Sequence, residues 1–280
     1  MTEKYDPNYV SRFYDNYGER EWQRFEQEAG AANLVNLHLH THYLRRFIQP
    51  GDHVLDVGAG PGRFTIEMAR IGARVTVGDI SPVQLEMNRR RLEEAGLEGS
   101  VVARQVMDVT NLSAISVGIY DAAVCYGGAL SYVFDRAGQA LEELLRVTKP
   151  GGYVLLSVMS LLGSTNAFLA GVFKVAEEFG LEATNRVNST GDLYGEIAGG
   201  HQCHMFRWSE LEALLRTHDC EIVAASASNF LSLHNEEAAQ QAMSDPQLWQ
   251  TLLAWELDYC KEPGALDGGT HIIAVVRRGR

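Results

Sequence analysis

Val54-Leu55-Asp56-Val57-Gly58-Ala59-Gly60-Pro61-Gly62-Arg63-Phe64 decides the fold. A short apolar run with β-branched residues reads as a buried strand, and it feeds directly into three alternating glycines. A helix-like stretch, Pro61–Ile71, follows at once. Downstream, strand-like runs recur at Arg74–Gly78, Val101–Met107, Tyr120–Cys125 and Tyr153–Val158, with helix-like stretches at Pro82–Ala95 and Arg136–Val147 between them. This alternation predicts a parallel sheet covered by helices on both faces. Two later strands are expected at Glu221–Ala225 and His271–Arg277.

Upstream of the loop, Phe13, Tyr14, Tyr17, Trp22 and Phe25, then Leu34, Leu37, Tyr43, Leu44 and Phe47, have near-helical spacing up to the Pro50-Gly51 turn. Residues 161–206 hold a helical portion (Ala167–Phe179) and a glycine-rich turn, and 231–269 hold another helix around Pro246–Tyr259. The expected organisation is one domain of 280 residues. It comprises a helical lid (1–50), a ligand-binding core (51–160), an acceptor-side insertion (161–206) and a C-terminal part of the core with a helical insertion (207–280).

Composition narrows the function. With 24 basic against 36 acidic residues the net charge is −12, which argues against a nucleic-acid backbone as the main partner. Hydrophobic residues at 46% fit an ordinary globular chain. The first ten residues lack the basic-then-apolar pattern of a secretory leader, and no apolar stretch is long enough to span a membrane. Cys125, Cys203, Cys220 and Cys260 form no short-range pair, which disfavours a thiolate metal site and suits a cytoplasmic location. His38, His40 and His42 alternate, so on a helix they cannot share a face; no metal site is expected, and they read as solvated or interfacial.

A glycine loop between strand and helix lets a ligand approach the main chain. A dinucleotide fingerprint needs its third glycine at position 63, which is Arg63, so a nicotinamide-dependent oxidoreductase is the weaker reading. The loop is G-x-G-x-G with Asp56 two residues ahead, and it resembles that of the class I S-adenosylmethionine-dependent methyltransferases. Further matches come in order: Val77-Gly78-Asp79-Ile80, Met107-Asp108-Val109, Tyr120–Gly128 and Lys149-Pro150-Gly151-Gly152.

The resemblance implies a doubly wound, seven-stranded, mostly parallel α/β sheet whose last strand is antiparallel, and S-adenosylmethionine as cofactor. It implies a cofactor site of Asp56, Gly58, Ala59, Gly60, Gly62, Asp79 and Ile80 (ribose), Asp108 and Val109 (adenine), and the main chain of Cys125 and Tyr126 (methionine end). Taken singly, Asp79 could cap a helix and Asp108 could close a turn. The expected reaction is methyl transfer to a small-molecule acceptor, nitrogen or oxygen favoured, with a non-catalytic cofactor-binding module as the alternative. No Asn-Pro-Pro-type motif follows the fourth strand, which lowers exocyclic base amines and amides as acceptors. His204, with His201 as alternative, is the candidate general base because its segment returns over the carboxyl edge of the sheet. Tyr14 and Tyr17 are candidates to cover the acceptor side.

Overall fold

Seven strands hydrogen-bond in the order β3-β2-β1-β4-β5-β9-β8 in the computed structural model, which describes residues 4–23, 26 and 30–280. They are β1 (His53–Val57), β2 (Arg74–Asp79), β3 (Val101–Val106), β4 (Tyr120–Cys125), β5 (Thr148–Met159), β8 (Cys220–Ala227) and β9 (His271–Arg278). A separate two-stranded hairpin, β6 (Asp192–Leu193) and β7 (Cys203–His204), was not foreseen from sequence. Strands β1 to β5 pair in parallel, and β9 runs antiparallel between β5 and β8. Val54, Leu55, Asp56 and Val57 are all buried, as a central strand covered on both faces requires.

Strand order reverses between β1 and β4, so the crevice outside their carboxyl ends is where such a sheet binds ligands. One face of the sheet packs Leu55, Val57, Leu156 and Ile272 against Leu141 and Leu144 of the helix Ala137–Val147. The other packs Val54, Val75 and Leu155 against Val35, Leu39, Tyr43 and Leu44 of the helix Ala31–Phe47. That helix was expected to belong to a lid; its apolar face instead makes it a layer of the core. The helix Pro7–Tyr17 is the part that lies over the strand ends, hydrogen-bonded there by Ser11 Oγ to the Ile80 carbonyl at 3.1 Å. Phe25 lies outside the described residues.

Residues 161–206 form three helices, Leu161–Ala167, Leu169–Phe179 and Leu181–Thr190, ahead of the β6–β7 hairpin. The second and third bury no residue, and Phe168, Phe173 and Leu181 face solvent. Among the described residues no helix is long and apolar enough to cross a membrane.

The turn between β8 and the short helix Leu231–His234 is held by one buried carboxylate. Glu256 accepts hydrogen bonds from the main-chain N–H of Phe230 (2.9 Å) and Ser232 (2.7 Å) and from Ser232 Oγ (2.6 Å). Glu256→Ala leaves these donors buried and unpaired, so chemical denaturation should show a loss of about 3 kcal/mol. An unchanged midpoint would mean that water replaces the carboxylate.

Candidate active site

The cleft at the strand ends is built from the glycine loop outward. The N–H groups of Gly58 and Ala59 donate to the Gly78 carbonyl at 2.9 and 3.1 Å, which stitches the end of β1 to β2. The glycines divide their work. A Cβ on Gly58 would stand 2.5 Å from Ala129 Cβ, and one on Gly62 would meet Asn88 and Leu92 at 3.0–3.1 Å. Those two glycines admit neighbouring protein. Among the described residues, a Cβ on Gly60 (φ 53°) would meet nothing nearer than Glu21 Cγ at 4.0 Å, and Gly60 lines the cleft. Arg63, the residue that breaks the dinucleotide pattern, ties the loop to the lid. Its guanidinium donates to the Trp22 carbonyl (2.8 Å) and stacks 4.0 Å over the Trp22 ring.

Asp79 ends β2 with its carboxylate on the cleft wall. The helix that follows, Pro82–Glu94, is capped by Ser81, whose Oγ accepts from Gln84 N at 3.1 Å. Asp79 is therefore not spent on capping. Its two oxygens accept from the main-chain N–H of Gly60 and Ser81, both at 2.8 Å. Burial pushes its pKa up to about 6; those two donors pull down, and Glu21 and Asp15 push up. Asp56 lies behind the loop. Its carboxylate accepts from Thr65 Oγ1 at 2.5 Å, and burial pushes it up to about 7 against that hydrogen bond. Asp108 closes a turn, accepting from Thr110 N and Oγ1 at 2.8 and 2.7 Å, and also faces the cleft, where Tyr5 hydrogen-bonds to it.

Of the residues expected at the cofactor, Gly58, Ala59, Gly60, Asp79, Ile80, Asp108, Val109 and Tyr126 line the cleft. Asp56, Gly62 and Cys125 stand behind it; Cys125 is fully buried, its thiol pushed up to about 12 by burial. Tyr14 lines the cleft, whereas Tyr17 stacks on Phe13 at 5.6 Å outside it.

The histidines are distributed otherwise than the sequence suggests. His204 is absent from the lining: its Nδ1 meets Asp192 at 2.8 Å and its Nε2 meets Glu210 at 2.7 Å, while Lys4 pairs with Asp192 at 2.6 Å. The hairpin turns this ring toward the carboxylates of β6 and the next helix. His201 stands behind the wall, its Nε2 3.0 Å from the Tyr132 hydroxyl, and Tyr132 faces the cleft. No residue of 161–206 lines the cleft.

The lining beyond the expected cofactor residues comes instead from residues that include Asn36, His40, Tyr132 and His271, with the His40 and Tyr126 rings both 5.2 Å from that of Phe64. His40 is 2% exposed, with Nδ1 2.8 Å from the Asn36 carbonyl and Nε2 2.8 Å from Ser157 Oγ. Sequence reasoning missed His40 and His271. The signal for His40 was its i, i+4 relation to Asn36 on the buried stripe of its helix.

Burial alone would lower the His204 pKa, but hydrogen bonds to Glu210 and Asp192 outweigh it and hold the imidazolium. A folded value above the ordinary 6.5 stabilises the fold fully below 6.5 and loses that contribution as pH rises through the raised value. His204→Ala should therefore cost more stability at acid pH than at alkaline pH, measured by urea unfolding. A pH-independent loss would show that packing, not charge, holds the hairpin.

Residues 54–152 match a family model described as a methyltransferase domain. The matched segment holds the glycine loop and runs from β1 into β5. The chain is 38% identical over 111 residues to a ubiquinone biosynthesis O-methyltransferase of Xanthomonas oryzae pv. oryzae, covering 39% of this chain and 44% of that one. A protein of the same name from Xanthomonas axonopodis pv. citri is 34% identical over 131 residues, 46% of this chain and 51% of that one. The chain thus spans about half the length of the curated relatives it matches.

Solved structures share the fold across nearly the whole chain. The cyclase SpnF superposes with a TM-score of 0.61 at 18% identity, covering 96% of this chain and 95% of that one. A putative sarcosine dimethylglycine methyltransferase from Galdieria sulphuraria gives 0.55 at 15% identity, covering 95% and 98%.

The residues present fit S-adenosylmethionine, the cofactor that the sequence resemblance implies. A buried carboxylate on the cleft wall, Asp79, suits a ligand offering two hydroxyl donors, and the open side of Gly60 leaves room for it.

Proposed function

We propose that the protein transfers the methyl group of S-adenosylmethionine to a hydroxyl or amine of a neutral small molecule, with oxygen favoured. The observation that carries this reading is one continuous cleft, partly open to solvent, shared by two unlike walls. On one wall lie Gly60, Asp79, Ile80, Asp108 and Val109; on the other lie Asn36, His40, Phe64, Tyr132 and His271. Among the described residues Arg63 is the one lysine or arginine in the lining, and its guanidinium is engaged with Trp22, so the second wall suits an uncharged acceptor over a phosphate or carboxylate. The names of the curated relatives support oxygen.

The bound cofactor supplies a methyl group already activated by a positive sulfur. The chain's own work is alignment and exclusion of water, which can account for about 7 kcal/mol or more of barrier in favourable cases. Asp79 and Asp108 would hold the nucleoside, Tyr126 and Gly127 would border the methionine end, and Tyr5, Val10 and Tyr14 cover the cleft. His201 would act through Tyr132, fixing the direction of its hydroxyl. His204 would anchor the hairpin and take no part in proton transfer.

The fold alone does not decide for transfer, since a cyclase shares it. The test is incubation with isotopically labelled S-adenosylmethionine and a panel of phenols, enols and amines, read by mass spectrometry for a gain of one methyl. Labelled phenol or enol ethers are expected. Cofactor binding without turnover of any acceptor would instead support a non-catalytic binding module.

A further inference from the structure

We infer that the side-chain carbonyl of Asn36 determines acceptor specificity, by taking a hydrogen bond from a second hydroxyl or N–H of the acceptor, one that is not methylated. The inference rests on the small-molecule methyltransferase reading above and names the class of acceptor within it: a phenol or enol that carries a further hydrogen-bond donor.

Asn36 stands on the helix Ala31–Phe47, lines the cleft and is only 6% exposed. Its amide is oriented by a polar cluster behind it. Ser228 Oγ accepts the main-chain N–H of His271 at 3.0 Å and donates its own hydrogen to Asn229 Oδ1 at 3.3 Å. What remains on that oxygen is a lone pair, so the group of Asn36 that faces it at 3.0 Å is the donor, Nδ2. The same Nδ2 lies 3.4 Å from Thr270 Oγ1. Asn229 is anchored in turn by Thr270 N, which donates to its Oδ1 at 2.9 Å, and by its own Nδ2, which donates to the Ala32 carbonyl at 3.2 Å. The helix, the turn after β8 and the start of β9 thus hold the amide in one orientation.

The oxygen of that amide is left over. Among the described residues no group donates to Asn36 Oδ1, and the atom is not sealed in the interior, so it opens on the cleft. The Tyr126 hydroxyl, by contrast, is enclosed. A largely buried acceptor left without a donor is costly, so an O–H or N–H of the ligand is favoured there, and an ether oxygen, itself an acceptor, is rejected. A carboxamide oxygen is also too weak a base to remove a hydroxyl proton. The hydroxyl it holds therefore stays protonated and is not the one that attacks the methyl group.

The test uses catechol, resorcinol and hydroquinone as probes, each against its monomethyl ether, which keeps one hydroxyl and replaces the other by a group that cannot donate. Calorimetry reads their binding to the full chain loaded with S-adenosylhomocysteine. For wild type, at least one dihydroxybenzene should bind about tenfold or more tightly than its ether. Asn36→Leu matches the amide in size and lacks the oxygen. It should bring that pair within about twofold of each other and leave S-adenosylhomocysteine affinity within about twofold of wild type. Asn36→Ala gives the same readout if the Leu variant loses its native circular dichroism. Wild type that separates none of the pairs overturns the inference, as does a folded variant that keeps the separation. So does a folded variant that loses S-adenosylhomocysteine by about tenfold or more, which would put the carbonyl on the cofactor. Labelled S-adenosylmethionine with the same probes tests the reading beneath: separation of a pair with no methyl transfer would remove catalysis and leave Asn36 as a binding residue.

Discussion

Gly60→Val is expected to abolish cofactor binding, raising the dissociation constant of S-adenosylhomocysteine by about a hundredfold or more, equivalent to about 3 kcal/mol. Two effects add. The position has φ 53°, a left-handed conformation that a β-branched residue adopts only under strain of about 1–3 kcal/mol. Its side chain would also project toward the cleft, where among the described residues Glu21 Cγ, 4.0 Å from the added Cβ, is the nearest atom. Gly58→Ala provides the contrast. There the new methyl meets Ala129 Cβ at 2.5 Å, so the damage should appear as a lowered unfolding midpoint. If Gly60→Val binds the nucleoside as wild type does, the loop is not the ligand's seat.

Asp79→Asn is expected to weaken the same ligand by about tenfold or more, because an amide presents one acceptor where the carboxylate presents two charged ones. The pH dependence gives a sharper signature. Buried Asp79 takes up a proton as pH falls through about 6, and a protonated carboxyl accepts hydroxyl donors poorly. Wild-type affinity should therefore fall below about pH 6, while Asp79→Asn should stay flat across that window. By linkage, the raised folded value makes the unliganded chain lose stability as pH climbs from the ordinary 3.8 through about 6. A wild-type affinity independent of pH between 5 and 7 (roughly the window of this shift) would show that Asp79 stays clear of the ligand.

How much of this was legible in sequence follows from where the interactions are local. The strand–glycine–helix run at Val54–Phe64 reports itself, since strand periodicity, turn glycines and helix start lie in eleven consecutive residues. Val77–Ile80 and Met107–Val109 are equally local, and the strands they end came out within a residue or two. The second wall is not local. Asn36, Tyr132 and His271 come from a helix, a 3₁₀ segment and a late strand, and no spacing in the chain connects them. His204 illustrates the converse. Its position after an insertion placed it near the right edge of the sheet, but which way a two-residue strand points its ring depends on the carboxylates of Asp192 and Glu210. The helix Ala31–Phe47 was legible as a helix and not as a core layer, because its stripe mixes Val35, Leu39 and Tyr43 with buried Asn36 and His40.

That dispersal bears on how such a gene can diverge. On the reading proposed above, the donor would be held by residues between Gly58 and Tyr126, constrained by contacts such as Gly58 against Ala129 or Asp79 against Gly60. On the same reading, the acceptor would be met by single side chains on three separate elements, none of them part of the loop. If so, a lineage carrying this fold would exchange one acceptor for another through a few point changes at positions 36, 132 and 271, while inheriting its methyl donor unaltered.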